Sequence, residues 1–208
     1  DNIYQIIRLS IIDESCFFCK EFLKFEGIDI NFILEEKKET FLTVAVYEKN
    51  SNIVDYLLNN FPDVDVNTLK IDRFSPLQIA SAVLTDMRII KSLCNHPNIN
   101  VNHFTRKHRV SAYRMALMFG NIFASDFFVN NYRHVLKVSK INHTIIHCLK
   151  KNHLLSAKKF LKFVFENKSE SEITHITTNI YNYISQTQQN SESLINDLSQ
   201  ILKELINH

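Results

Sequence analysis

A recurring order of short strings constrains this chain more than anything else in it. Thr40-Phe41-Leu42-Thr43-Val44-Ala45 is followed by the apolar-periodic Asn52-Ile53-Val54-Asp55-Tyr56-Leu57-Leu58 and then by Asp65-Val66-Asn67. Ser75-Pro76-Leu77-Gln78-Ile79-Ala80 opens the same pattern again, and Asn100-Val101-Asn102 closes it. Turn, helix pair and exit string recur in register, which is the mark of a tandem array of supersecondary units. Such a unit cannot bury its apolar face alone, so stacking has to supply the core.

Composition agrees with a helical array. Of 208 residues 45% are hydrophobic, and only two are glycine and three proline, too few for the turns of an all-β fold. The expected class is therefore all-α. No apolar run approaches the roughly 18 uncharged residues that cross a bilayer, and the amino end lacks the layout of a signal peptide. The start at Asp1 without a methionine predicts a piece of something longer. Cys16, Cys19, Cys94 and Cys148 are too sparse for the disulfide framework of a small secreted domain, so a reducing, cytoplasmic compartment is expected.

The strings Thr40 to Ala45 and Ser75 to Ala80, each closed by its Asp/Asn-Val-Asn exit, resemble the ankyrin repeat family. The resemblance covers residues 3–163 in five units, 3–31, 35–67, 70–102, 106–131 and 139–163. The first is carried by Gln5 to Ser10 and Asp29-Ile30-Asn31. Ser111-Ala112-Tyr113-Arg114-Met115-Ala116 with Gly120 carries the fourth, and Thr144-Ile145-Ile146-His147-Cys148-Leu149 the fifth. Residues 171–207 carry two further helical stripes, Ile173 to Ile184 and Leu194 to Ile206, and are expected to form a capping pair. The family's finger glycine is replaced by Lys38, Arg73, Arg109 and Asn142. What the resemblance implies is a solenoid that binds protein partners through its fingers and the concave face of its first helices.

Charge is uneven. From His103 to Phe165 there are twelve basic residues against the single acid Asp126, which leaves 12 basic and 21 acidic residues elsewhere beneath a net charge of +2. A positive patch of this kind accelerates encounter with an acidic partner and weakens with salt. Arg106, Lys107 and Arg109 lie in a finger and are expected to contact the partner, whereas Lys158, Lys159 and Lys162 on a second helix read as a solvated face. Concave positions past the motif alanine include Tyr47, Val83, Met118 and Phe119, an apolar strip rimmed by charge as in protein-binding hot spots.

Chemical sites have weaker support. Cys16-Phe17-Phe18-Cys19 has half-site spacing for zinc but no second pair. His143 and His147 share a helix face yet lack the glutamate of a metalloprotease, and His147 at the motif histidine is expected to bond neighbouring turns. Cys148 and His153 have no orienting carboxylate. Neither Gly27 nor Gly120 belongs to a phosphate-cradling loop. The sequence thus predicts no cofactor, no metal and no catalysis, and a module that docks a protein with an acidic, partly apolar surface. Two alternatives stand beside it: the targeting portion of a larger enzyme, or of an effector acting on a host protein in the host cytosol, and a binder of polyanions, nucleic acid or anionic lipid, through segment 103–165.

Overall fold

The computed structural model describes residues 2–34, 38–68, 74–83, 87–105, 109–137, 140–186 and 191–206. The helices over the first half are α1 (Asn2–Ile12), α2 (Cys16–Phe22), α3 (Phe41–Tyr47), α4 (Ser51–Asn60), α5 (Pro76–Ala82) and α6 (Met87–Asn95). Then follow α7 (Ala112–Met118), α8 (Ile122–Tyr132), α9 (Ile141–Lys150), α10 (Leu154–Asn167), α11 (Glu170–Gln186) and α12 (Ser191–Ile206). Among the described residues the regular elements are all helical, with one isolated antiparallel bridge between Leu34 and Glu39. The all-α expectation is met.

The motif residues start helices for identifiable reasons. Thr40 Oγ1 accepts from the Thr43 amide at 3.2 Å, while Thr43 Oγ1 accepts from the Thr40 amide at 2.8 Å. Ser75 and Gln78 repeat this reciprocal capping box, and Pro76 occupies a first-turn position where its missing N–H costs nothing. Second helices begin differently: Asn50 caps the Ile53 amide and Asn121 the Ala124 amide.

One device joins the helices of a pair. The amides of Ser15, Asn50, Asn121 and His153 donate back to the carbonyls of Ser10, Ala45, Ala116 and Cys148, at 2.8 to 2.9 Å. The residue before each donor, Glu14, Lys49, Gly120 or Asn152, has φ between 55° and 73°. This is the Schellman closure, which needs one left-handed residue. Gly120 is a glycine for a second reason as well, because a Cβ there would meet the His153 ring at 3.2 Å. Gly120→Ala is expected to cost about 1–3 kcal/mol in thermal or urea unfolding. Gly27→Ala, also at positive φ but with nothing within 4 Å of the added Cβ, should cost less.

The chain forms two compact units, Asp1–Ala112 and Tyr113–His208. In the first, α1 packs on α2 and α3, α3 on α4 and α5, α2 on α4, and α6 on α4 and α5, so the pairs stack in chain order. Ile7, Ile11, Phe41, Leu42, Ile53, Leu57, Leu77, Ile89 and Leu93 are fully buried between them. The exit strings lace successive pairs. Asn31 Nδ2 donates to the Asp63 carbonyl at 2.8 Å and its Oδ1 accepts from the Asp65 amide at 2.7 Å; Asn67 repeats both bonds with Asn98 and Asn100. Asparagine suits this position because its carboxamide both donates and accepts.

In the second unit α10 packs on α8 and α9, α11 on α9, and α12 on α9, α10 and α11. Tyr113 meets Phe128, Phe160 and Phe163 edge-on at centroid separations of 5.7 to 6.5 Å, a geometry that aromatic quadrupoles favour. Burial pushes the Tyr113 hydroxyl well above the ordinary phenol value. Ile180, Ile184, Leu198 and Ile201 form the buried stripe of α11 and α12.

The structure corrects the fifth motif. Helix α9 begins at Ile141 after Lys140, whose φ of 50° is the left-handed position expected at Asn142. The closing bond places Cys148, not Leu149, in register with Ala45 and Ala116. That position holds Ser10, Ala45, Ala116 and Cys148, all small and all buried. Thr144 therefore lies inside the helix, and the motif histidine position falls on Ile146 rather than His147.

Candidate partner-binding surface

First helices end in solvent. In α3, Val44, Ala45 and Val46 are buried while Tyr47, the next residue, is 62% exposed. Val83, at the end of α5, is half-buried. Both belong to the first unit, as does Arg109, which is exposed, has φ of 49° and holds its guanidinium 5.6 Å from the Phe104 ring centroid. Lys38 shares this left-handed geometry, so two of the four cations or amides expected at finger glycines do adopt the glycine conformation. Arg106, Lys107 and Arg73 lie outside the described residues. In the second unit Met118 is half-buried, with its carbonyl accepting from His153 Nδ1 at 3.1 Å, and Phe119 beside it is exposed.

Part of the basic excess is spent inside the fold. Lys158 pairs with Glu204, Lys159 with Asp126 and Arg133 with Glu166. These carboxylates approach from α8, α10 and α12, so the second-helix cations brace helices rather than await a partner, though exposed pairs of this type contribute little stability. The solvated-face reading of Lys158 and Lys159 is thus refined: their ammonium groups are paired at the surface.

A row of reaching side chains sits at the fourth position of the repeated motif. Arg8 contacts Glu39 at 3.3 Å, Gln78 Nε2 donates to the carbonyls of His103 and Val110, and Arg114 donates to Thr144 Oγ1 at 2.7 Å and to His143 Nδ1 at 2.8 Å. These bonds tie each pair to the next segment, the job expected of His147. His147 instead stacks on His143, with ring centroids 6.4 Å apart.

Since Arg114 can only donate, His143 Nδ1 accepts and its proton resides on Nε2. Partial burial and then the Arg114 charge hold His143 below the usual imidazole value; burial and then His143 do the same for His147. A folded state with depressed imidazoles binds fewer protons than the unfolded chain, so its stability falls as pH drops through the unfolded value of 6.5. The thermal midpoint of the second unit is expected to fall between about pH 7 and pH 5.5, less steeply in a His143→Gln, His147→Gln double variant.

Cys19 and Cys148 are chemically quiet. Burial pushes the Cys19 thiol up to about 11 and the Cys148 thiol up to about 12. Cys148 donates to the Leu117 carbonyl at 3.3 Å, and His153 is engaged with the Met118 carbonyl. Among the described residues no three His, Cys, Asp or Glu side chains converge as metal ligands would, and no helix is long and apolar enough to cross a membrane.

Sequence reasoning missed one surface. Ile6, Leu9, Phe17 and Phe18 are exposed on α1 and α2, although Phe41, Val44 and Ile53 at the register positions of Ile6, Leu9 and Phe18 are buried. A Phe17→Ser, Phe18→Ser variant is expected to change the unfolding free energy in urea by no more than about 0.5 kcal/mol. A larger loss would mean that the two rings pack inside.

Over residues 9–105, from within α1 to beyond α6, the chain matches the family model for ankyrin repeats in three copies. A search of curated proteins found no match. Capped first helices, Schellman-closed pairs and asparagine-laced exits are the physical content of that match, and residues 9–105 belong to the ankyrin repeat family.

Proposed function

We propose that the module docks a protein with an acidic, partly apolar surface, using Tyr47, Val83 and the finger cations Arg106, Lys107 and Arg109 of the first unit, with Met118 and Phe119 of the second. Ankyrin repeats are protein-interaction modules, and the partner class is read from the side chains they present. The observation that carries the reading is Tyr47. Tyr47 is a large aromatic that leaves most of its surface in solvent, and Tyr is among the residues that dominate binding energy once a partner desolvates them. Arg109, the described member of the finger cations, is exposed and in the left-handed conformation.

The test is charge reversal. Arg106→Glu, Lys107→Glu and Arg109→Glu together should slow association and flatten its salt dependence, because the steering field is lost while the aromatic contacts remain. Affinity capture with both forms at two salt concentrations, followed by kinetics on the captured protein, measures this. Unchanged association rates would sink the electrostatic half of the reading. Capture of nucleic acid alone would replace it with polyanion binding.

A further inference from the structure

Within the second unit, α9 and α11 pack along one another and leave a cleft of about 400 Å³. Its walls follow from two helical periodicities. His143, Ile146, His147 and Lys150 stand at i, i+3, i+4 and i+7 on α9, and Asn179 and Tyr183 at i and i+4 on α11. Asn142 completes the lining. The Lys150 ammonium lies 5.3 Å from the Tyr183 ring centroid, and Asn179 is steadied by His175 at 2.9 Å.

The polar groups facing this cleft are an ammonium, two imidazoles, two carboxamides and a phenol, and no carboxylate lines it. Arg114, behind His143, holds that imidazole with its Nε2–H turned away from the shared bond. Ile146 is buried and closes the apolar floor. We infer that the cleft between α9 and α11 binds a small, soluble, phosphate-bearing molecule, with Lys150, His143 and His147 on the phosphate oxygens and Tyr183 against the rest of the ligand. The volume falls in the range of small-molecule sites.

The surrounding charges support this and set its pH dependence. Facing the two imidazoles are Arg114 from α7, Lys140 at the start of α9, Lys150 on α9, and Lys151 and His153 at the turn into α10; α11 contributes Tyr183 and, bonded to Asn179, His175. The neighbouring cations and burial together keep the imidazoles neutral. A bound phosphate reverses the electrostatic part at His147, so binding takes up a proton there and tightens as pH falls. The inference is independent of the protein-partner reading, which rests on other residues.

The experiment titrates the whole chain with sodium pyrophosphate at constant ionic strength and follows the imidazole Cε1–H resonances. The expected result is a saturable shift of His143 and His147, a rise in the titration midpoint of His147, whose ring does not hold the Arg114 bond, and affinity that increases at least about fivefold from pH 7.5 to pH 6. His96 and His134, outside the cleft, should not move. Lys150→Gln, at an exposed position, should weaken binding about tenfold without altering the fold, and Tyr183→Phe should retain it. Sodium chloride or acetate reproducing the shifts, equal shifts in the Lys150→Gln variant, or equal movement of all histidines would overturn the inference as nonspecific screening. A second arm sediments the chain with phosphatidic acid vesicles. Lys150-dependent vesicle binding without any response to pyrophosphate would assign the cleft to a membrane surface and equally overturn it.

Discussion

Gln78→Ala should lower the stability of the first unit by about 3 kcal/mol, more than any other single polar substitution considered for that unit. The side chain is fully buried. Its Oε1 accepts from the Ser75 amide at 2.8 Å, and its Nε2 donates to the carbonyls of His103 at 2.8 Å and Val110 at 2.6 Å. Alanine would leave one donor and two acceptors in a region that water reaches poorly, and each unsatisfied group costs on the order of 1 kcal/mol or more. Urea unfolding followed by circular dichroism measures the loss, and amide exchange should place it in α5 and the finger it braces. The comparison is Thr43→Ala at the same register, which removes a half-buried capping box only and should cost about 1 kcal/mol. Equal losses would mean that Gln78 acts as a cap and not as a tie between pairs.

The second large effect is expected in the other unit. Phe160→Ala removes a fully buried ring that meets Tyr113 at 6.0 Å, and should cost about 3–5 kcal/mol through lost transfer energy and the cavity left behind. Phe160→Leu keeps most of the volume and should cost appreciably less. Because Tyr113 is held by three rings, the cavity cannot collapse easily, which places the alanine variant toward the upper end of that range. Tyr fluorescence and amide exchange over α7, α8 and α10 report it; a loss below about 1 kcal/mol would show that the aromatic cluster is not the core of the unit.

The repeat was legible in the sequence wherever local chemistry and stacking agree. Thr40, Ser75 and Pro76 announce helix starts because capping is a contact among residues three apart, and Asn31 and Asn67 recur because each must donate and accept across a finger. The fifth motif misled for a matching reason. Thr144 and His147 reproduce the letters of the motif one position late, whereas the register is fixed by a backbone closure onto Cys148 that any small residue allows. Backbone bonds leave no letter in the sequence. Exposure at α1 and α2 was hidden as well, since Phe17 and Phe18 follow the same apolar spacing as buried helices. The cleft beside His143 depends on α11 lying against α9, a tertiary fact that no spacing within either helix encodes.

The central claim is that the ends of the first helices meet a protein partner. The most direct measurement replaces Tyr47 by a photo-crosslinking phenylalanine derivative and, as a control, Tyr181 of α11, which is similarly exposed. Irradiation in lysate at low and high salt should yield one discrete adduct from position 47, lost with Arg109→Glu and reduced by salt, and none of that mass from position 181. The same adducts from both positions, or none from position 47, would contradict the account.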